Sequence, residues 1–275
     1  MIRSHRPALP LRQVIRYYYG VEGHFGSQPV LQPVPARSPA ILEFMFGVPF
    51  RVQLLDDGMT RDAHPVTLVG PRTQRSVNLF LSGKVDAFTI TFQPRGFFTL
   101  FGIPLEELTN RDFSAETVLG PSIGELHDRL SEAGSFQQRV HIADAFLSAK
   151  YRMANPGEDM SKTATNILAV RGAIRVCDMA GKAGLSIRQF ERRFRYEIGI
   201  TPKLYARIAR FEAALALKAM APDMQWTGIA HSLGYHDQMH MVHDFNQLSG
   251  ECPTTICGLL DMFVQPEVLS AARPL

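Results

Sequence analysis

Cysteine is scarce in this chain. Among 275 residues there are three, Cys177, Cys252 and Cys257, an odd number without a CxxC pair, which argues against a disulfide framework and a four-cysteine zinc site. They read as buried thiols in a reducing compartment. Long apolar runs are missing as well, since nothing approaches the roughly 20 residues that span a bilayer. The opening "MIRSHRPALPLRQVIRYYYG" has neither the apolar core nor the small-residue cleavage site of a signal peptide, and a cytoplasmic protein is expected. Catalytic signatures are equally thin: HExxH, GxSxG, Walker A and GxGxxG do not occur. Neither an enzyme nor a cofactor is expected on these absences.

What is present is an ordinary globular composition, 45% apolar and 20% charged, in a chain long enough for two domains that each bury a core. A net charge of +3 and a pI near 8.8 are only mildly basic. The mean hides a patch. Between Lys182 and Lys218 lie Arg188, Arg192, Arg193, Arg195, Lys203, Arg207 and Arg210, against Glu191, Glu197 and Glu212.

The first hundred residues alternate short β-rich runs with Gly and Pro punctuation: "VIRYYYG", "AILEFMFG", "FRVQLLD", "VTLVG", "VNLFLS" and "VDAFTITFQ". Such even spacing predicts an antiparallel barrel or jelly roll. After "FQPRGFFTLFGIP" the period becomes helical, with Ile123, Leu126 and Leu130, then Phe136, Val140, Ala143 and Leu147, on single faces. Ser122 with Glu125 fits a capping box and Gly134 a helix stop. These helices pack either on the β part or against a partner, and an amphipathic face serves a dimer seam and an internal core equally well. The polar stretch "MANPGEDMSK", residues 153–162, reads as a linker between a domain at 1–152 and a helical domain at 163–275. The expected fold class is therefore α+β: a β-barrel with a helical connector, then an all-α region.

The helical part contains a duplication. "VCDMAGKAGLSIRQFERRF" and "WTGIAHSLGYHDQMHMVHDF" both run apolar, Ala, three residues, Gly, an apolar or aromatic residue, a cap and a polar helix ending in Phe. Ala180 corresponds to Ala230, Gly184 to Gly234, Ser186 to His236, and, with a shift of one residue, Phe194 to Phe245. Two helices crossing steeply over a short turn need a small residue at the contact and one tolerating positive φ at the turn. That is a helix-turn-helix, whose second helix enters the major groove. The stretch "PKLYARIARFEAALALKAM" places Leu204, Ile208, Phe211, Leu215 and Met220 at helical spacing, so one long helix joins the units.

Residues from about 165 to 256 resemble the two-unit DNA-binding domain of the arabinose-operon regulator family of bacterial transcription factors, through "LSIRQFERRFRYEIGITPKLYARIARF" and "IAHSLGYHDQMHMVHDFNQLSGECPT". The front half, notably "VGPRTQRSVNL" and "FTITFQPRGFFTLFGIPLEELTNRDF", resembles the cupin-like sensing barrel of one subgroup. The resemblance implies a sequence-specific regulator bound to double-stranded operator DNA, responsive to a small-molecule effector, acting with RNA polymerase and able to form a homodimer. On the first recognition helix, starting at Ser186, the polar face carries Arg188, Gln189, Glu191, Arg192 and Arg195, while Ile187, Phe190 and Phe194 are assigned to the core. Arg188 and Arg192 are the expected base readers, because Arg bonds guanine bidentately. Arg195 and Lys203 are expected at phosphates. On the second helix Asp237, Gln238, His240, His243 and Asn246 are the matching DNA-facing set. His243 and Asn246 stand where relatives carry permanent charges, so the first unit should supply most of the affinity. Trp226 is expected to pack against the joining helix.

The spacing of His236, His240 and His243 also permits a metal site on one helix face, but no HExxH or second-shell partner accompanies it. In the strand region, His24 and His64 are too far apart for the histidine and carboxylate set of a barrel metalloenzyme. A metal-dependent cupin-type enzyme, or a ligand-binding protein, fused to a DNA-binding module is the alternative. For the effector, Tyr17, Tyr18 and Tyr19 are candidates to line the barrel mouth, with Arg72 or Arg75 as polar anchor. The competing and stronger reading makes the tyrosines sheet core and both arginines surface charges.

Overall fold

The structure, a computed structural model, describes residues 1–154 and 159–261. The N-terminal half is an eight-stranded antiparallel sheet: β1 (Ile2–His5), β2 (Ile15–Val34), β3 (Ile41–Met45), β4 (Arg51–Leu54), β5 (Thr60–Asp62), β6 (Val66–Val69), β7 (Val77–Phe92) and β8 (Asp112–Ser114). The order is β1-β2-β7-β3-β6-β8, with β4 joining β5 to β7. The even spacing expected of the strands does not hold. "VNLFLS" and "VDAFTITFQ" are one strand of 16 residues, continuous through Gly83 because glycine takes a φ of +63° there at no steric cost. Strand β7 pairs with β2 along one edge and with β3 and β4 along the other, so it is the spine of the sheet.

Side chains alternate across a strand, and β2 uses both faces. Tyr18 points to a face covered by helices α1 (Gly96–Phe101), α2 (Ala115–Leu119), α3 (Ser122–Ser131) and α4 (Phe136–Met153). There Ile123, Leu126, Leu130, Val140, Ala143 and Leu147 bury against Tyr18, Phe44, Phe88 and Ile90. The apolar face of the connector is thus spent within the chain. Arg139 of α4 grips Asp86 of β7 with both guanidinium nitrogens, at 2.6 and 3.0 Å. Ser122 is not a cap: Pro121 holds that position without a side-chain bond, since proline already fits the first turn of a helix. Helix α3 ends at Ser131, ahead of Gly134, and Ser135 caps α4 by accepting from Gln138.

The C-terminal half is all helix: α5 (Asp159–Ala169), α6 (Val176–Lys182), α7 (Ile187–Ile198), α8 (Pro202–Met220), α9 (Trp226–Ser232), α10 (Gln238–Ser249) and α11 (Pro253–Asp261). Of the stretch expected as linker, α5 already occupies the end, and 155–158 lie outside the described residues, as do 262–275. Helix α8 buries Ile208, Phe211 and Leu215 as its spacing requires, whereas Met220 at its last turn is 62% exposed. None of the three cysteines is buried: Cys177 and Cys252 are exposed and Cys257 is partly covered. No helix among the described residues is long and apolar enough to cross a membrane.

The two halves meet over an extensive interface. Arg95, at the N-terminal end of α1, forms an ion pair with Glu197 of α7, buried on both sides. Phe98 stacks edge-on against Tyr196 at 5.6 Å. Thr109 donates to the Gly199 carbonyl at 2.7 Å, and Arg75 reaches Glu251 at 3.1 Å.

Candidate nucleic-acid interface

The first helix-turn-helix is α6 and α7. Gly184 turns the chain with φ of +65°, a conformation that costs other residues about 1 kcal/mol or more. Ser186 then opens α7: its hydroxyl accepts from the Gln189 N–H at 3.3 Å, while the Gln189 side-chain oxygen accepts from the Ser186 N–H at 3.1 Å. This reciprocal pair satisfies two of the free donors at the helix start. It also occupies the side-chain oxygen of Gln189, one of the residues expected at DNA. Phe190 and Phe194 are fully buried, stacking on one another and on Tyr205 of α8.

Ile187 does not join them. It is 51% exposed, because the first residue of α7 stands clear of the packed face, and it adds an apolar group to the outward surface. Ser186, Arg188, Gln189, Glu191, Arg192, Arg195 and Lys203 are all exposed. Among the described residues, Arg188, Arg192, Arg195 and Lys203 enter none of the ion pairs. The rest of the basic patch is consumed internally. Arg193 pairs with Glu197 at 2.8 Å, Arg207 with Asp244 at 2.7 Å, and Arg210 lies over the Tyr235 ring at 5.2 Å.

In the second unit, α9 and α10, Gly234 turns with φ of +70°. The cap is Asp237, not His236: its carboxylate accepts from the His240 N–H at 2.7 Å. One extra residue therefore sits in this turn, which is the physical origin of the one-residue shift between the repeats. The His240 N–H, and then His236, hold the Asp237 carboxyl below its usual range. The three histidines take separate partners: His236 meets Asp237 at 3.1 Å, His240 stands edge-on to Tyr235, and His243 approaches Gln247 at 3.3 Å. Among the described residues no three His, Cys, Asp or Glu side chains gather as a metal set. Met241 and Phe245 are buried and Val242 is partly so, while Gln238, Met239, His240, His243 and Asn246 are exposed. Trp226 packs edge-on against Phe245 at 5.6 Å and under Lys218, the latter at the end of α8.

Helix α8 fixes the separation. Its 19 residues rise about 28 Å at ~1.5 Å each, and Asp244 of α10, 1% exposed, receives two bonds from Arg207 at 2.9 and 2.7 Å. Both second helices are thereby clamped to one rigid rod, as reading successive turns of a duplex requires.

A cavity of about 110 Å³ lies inside the β part, walled by apolar residues of β2, β4, β6 and β7, and by Tyr19, Glu43, Arg37, Arg72 and Asp112. Of the residues expected there, Tyr19 and Arg72 line it; Tyr17 packs beside Tyr19 at 6.1 Å, and Arg75 is engaged with Asn78 and Glu251. Arg72 is no surface charge. It is 3% exposed and bonds Asp112 and Ser76 at 3.0 Å each. Burial, and after it the charge of Arg37, pulls the Arg72 guanidinium below its ordinary value. Asp112, already shared with Arg61, stays below the usual carboxylate range: burial opposes this, and the two arginines outweigh it.

Residues 179–257 match the family described as a helix-turn-helix domain. The chain is a DNA-binding transcriptional regulator whose C-terminal domain is of the helix-turn-helix kind. Residues 3–114 of this regulator match a second family, described as a domain of unknown function (DUF6597). No curated protein matches the chain. Among solved structures, ToxT from Vibrio cholerae is similar over 88% of this chain and 98% of its own, at 10% identity and a TM-score of 0.50. Unsaturated fatty acid bound wild-type ToxT from Vibrio cholerae matches over 88% and 95%, at 12% identity and a TM-score of 0.51. At such identities the likeness speaks for the fold, and the regulator shares the ToxT arrangement of sheet and helices.

Proposed function

We propose that this regulator reads its operator chiefly through α7 and that a small amphipathic anion in the barrel cavity controls it. The observation that carries the DNA half is the contrast between the two second helices. Where α7 exposes Arg188, Arg192 and Arg195, the equivalent places on α10 hold Met239, His243 and Asn246. Arg188 and Arg192, one turn apart, serve as base readers and Ile187 as a contact for a thymine methyl. Arg195 and Lys203 neutralise phosphates. On α10, Gln238, His240, His243 and Asn246 add weaker contacts, and Asp237 acts through the cap.

The cavity supports the second half. Its lining is apolar with a few convergent polar groups, and Arg37 and Arg72 each leave an Nε, shielded from solvent, without an acceptor. A carboxylate supplies those acceptors, and its hydrocarbon part replaces contacts along Val21, Val52, Leu79 and Leu81. A short-chain carboxylate suits the cavity's size and has the head-group chemistry of the unsaturated fatty acid bound in the ToxT structure. The regulator would act in the cytoplasm, with RNA polymerase at its promoters, as domains 1–152 and 163–275. A homodimer would use a surface other than the apolar face of α3 and α4.

The test is selection of bound fragments from a genomic library across a salt series, with the wild type, Arg188→Ala and Arg192→Ala. One enriched motif with half-sites about a helical turn apart, lost in either variant, is the expected result. Sequence-blind binding abolished by salt would overturn it.

A further inference from the structure

Residues 33–40 read "PVPARSPA" and run between the two halves. Side chains and N–H groups of an extended chain alternate in direction, and three consecutive residues here exploit that. Ala36 packs into the core of the helical half, and its N–H donates to the carbonyl of Leu248 in the last turn of α10, at 2.8 Å. The N–H of Ser38 donates to the Glu212 carboxylate of α8, at 3.3 Å. Between them, Arg37 faces the other way. Its N–H and carbonyl exchange 2.9 Å bonds with the backbone of Arg72, and its side chain lines the cavity.

We infer that residues 36–38 are a strap that transmits the state of the cavity to α8 and α10, with Arg37 as the group that senses an anion. Neighbouring Cα atoms stay 3.8 Å apart, so Arg37 cannot shift toward a ligand without moving the amides on either side. Pro33, Pro35 and Pro39 fix φ around the strap and limit the slack that would absorb such a shift. Both partners on the far side belong to the rod and the second recognition helix, whose spacing decides whether two half-sites are read together. The coupling rests on the effector reading above, but its mechanical part exists without any ligand.

The experiment uses the full chain. Because of the prolines, the amides between 33 and 39 are those of Val34, Ala36, Arg37 and Ser38, so one peptide in hydrogen-exchange mass spectrometry reports the strap. Without ligand, Arg37→Ala should speed exchange in that peptide about tenfold and change affinity for the selected operator at least about fivefold. Val48→Ala, on an exposed turn outside both strap and cavity, should do neither. Wild-type exchange and affinity in Arg37→Ala would overturn the inference; should that variant not fold, Arg37→Gln carries the same comparison. In a second arm, hexanoate, a carboxylate small enough for the cavity, should slow or speed the strap peptide of the wild type and leave that of Arg37→Ala unmoved. If calorimetry shows no hexanoate binding to the wild type, the ligand class proposed above fails, while the ligand-free arm still decides the strap.

Discussion

Arg95 and Glu197 are 102 residues apart in sequence and pair at the centre of the contact between the halves, with side chains 8% and 7% exposed. Glu197 also accepts from Arg193 at 2.8 Å, whose side chain is 41% exposed. Removing a buried charge strands its partner without solvent. Glu197→Ala is therefore expected to cost about 3 kcal/mol, and Arg193→Ala under about 1 kcal/mol, in urea unfolding of the full chain. Equal losses would mean that the buried pair contributes nothing special.

The two units end alike, in Gly199 with φ of +96° and Gly250 with φ of +73°. A Cβ on Gly250 meets only Arg75 near 3.9 Å, whereas on Gly199 it comes within 2.9 to 3.1 Å of Pro71, Thr109 and Leu105. Both alanine variants carry the left-handed penalty of about 1 kcal/mol. Gly199→Ala should lose at least about 1 kcal/mol more through overpacking, read as the difference between two thermal melts. Identical melts would rule out a tight contact at Gly199.

Charge on the second unit is open to a gain-of-function test. His243→Arg places a permanent charge on an exposed turn of α10 and should tighten operator binding while steepening its salt slope by about one. Lys203→Ala should flatten the slope by about one and leave the preferred motif unchanged. Fluorescence anisotropy over a salt series measures both; a His243→Arg variant that binds no better would place α10 off the DNA.

The caps differ in their response to acid. The folded-state pKa of Asp237 is lowered, so its stabilisation is present above the unfolded value near 3.9 and is lost as pH falls through the folded value. Asp237→Asn should keep the cap and remove this term, so its melting difference from wild type should shrink or reverse between pH 6 and pH 3. Ser186→Ala has no such titration and should cost about 1 kcal/mol at both.

The helix-turn-helix units were legible because their constraints are local: Ala at a crossing, Gly at a left-handed turn, Ser at a cap. The sheet was less so. Strands β1, β5 and β8 have no alternation of their own and exist through their neighbours, and β2 and β7 run through glycines that read as breaks. Arg72 reads as a surface charge in the sequence because its burial depends on Asp112, 40 residues on, a distance no local pattern spans. Residue type points Ile187 and the cysteines inward, yet Ile187 and Cys177 lie in the first turn of short helices and Cys252 just ahead of α11, where side chains protrude, and Cys257 in α11 is only partly covered. Asp237 was within reach, since the one-residue shift between repeats already pointed to a longer second turn.

Strand β7 has a further consequence for biosynthesis. It is the common partner of β2, β3 and β4, yet it emerges from the ribosome after all of them. From Phe25 onward β2 has its ladder only with β7, so the nascent chain carries an open strand until about residue 92 has been made, on the order of ten seconds at bacterial elongation rates. The sheet therefore assembles late, with only β8 still to be added beside β6, and the DNA-reading half is synthesised onto a platform that already exists.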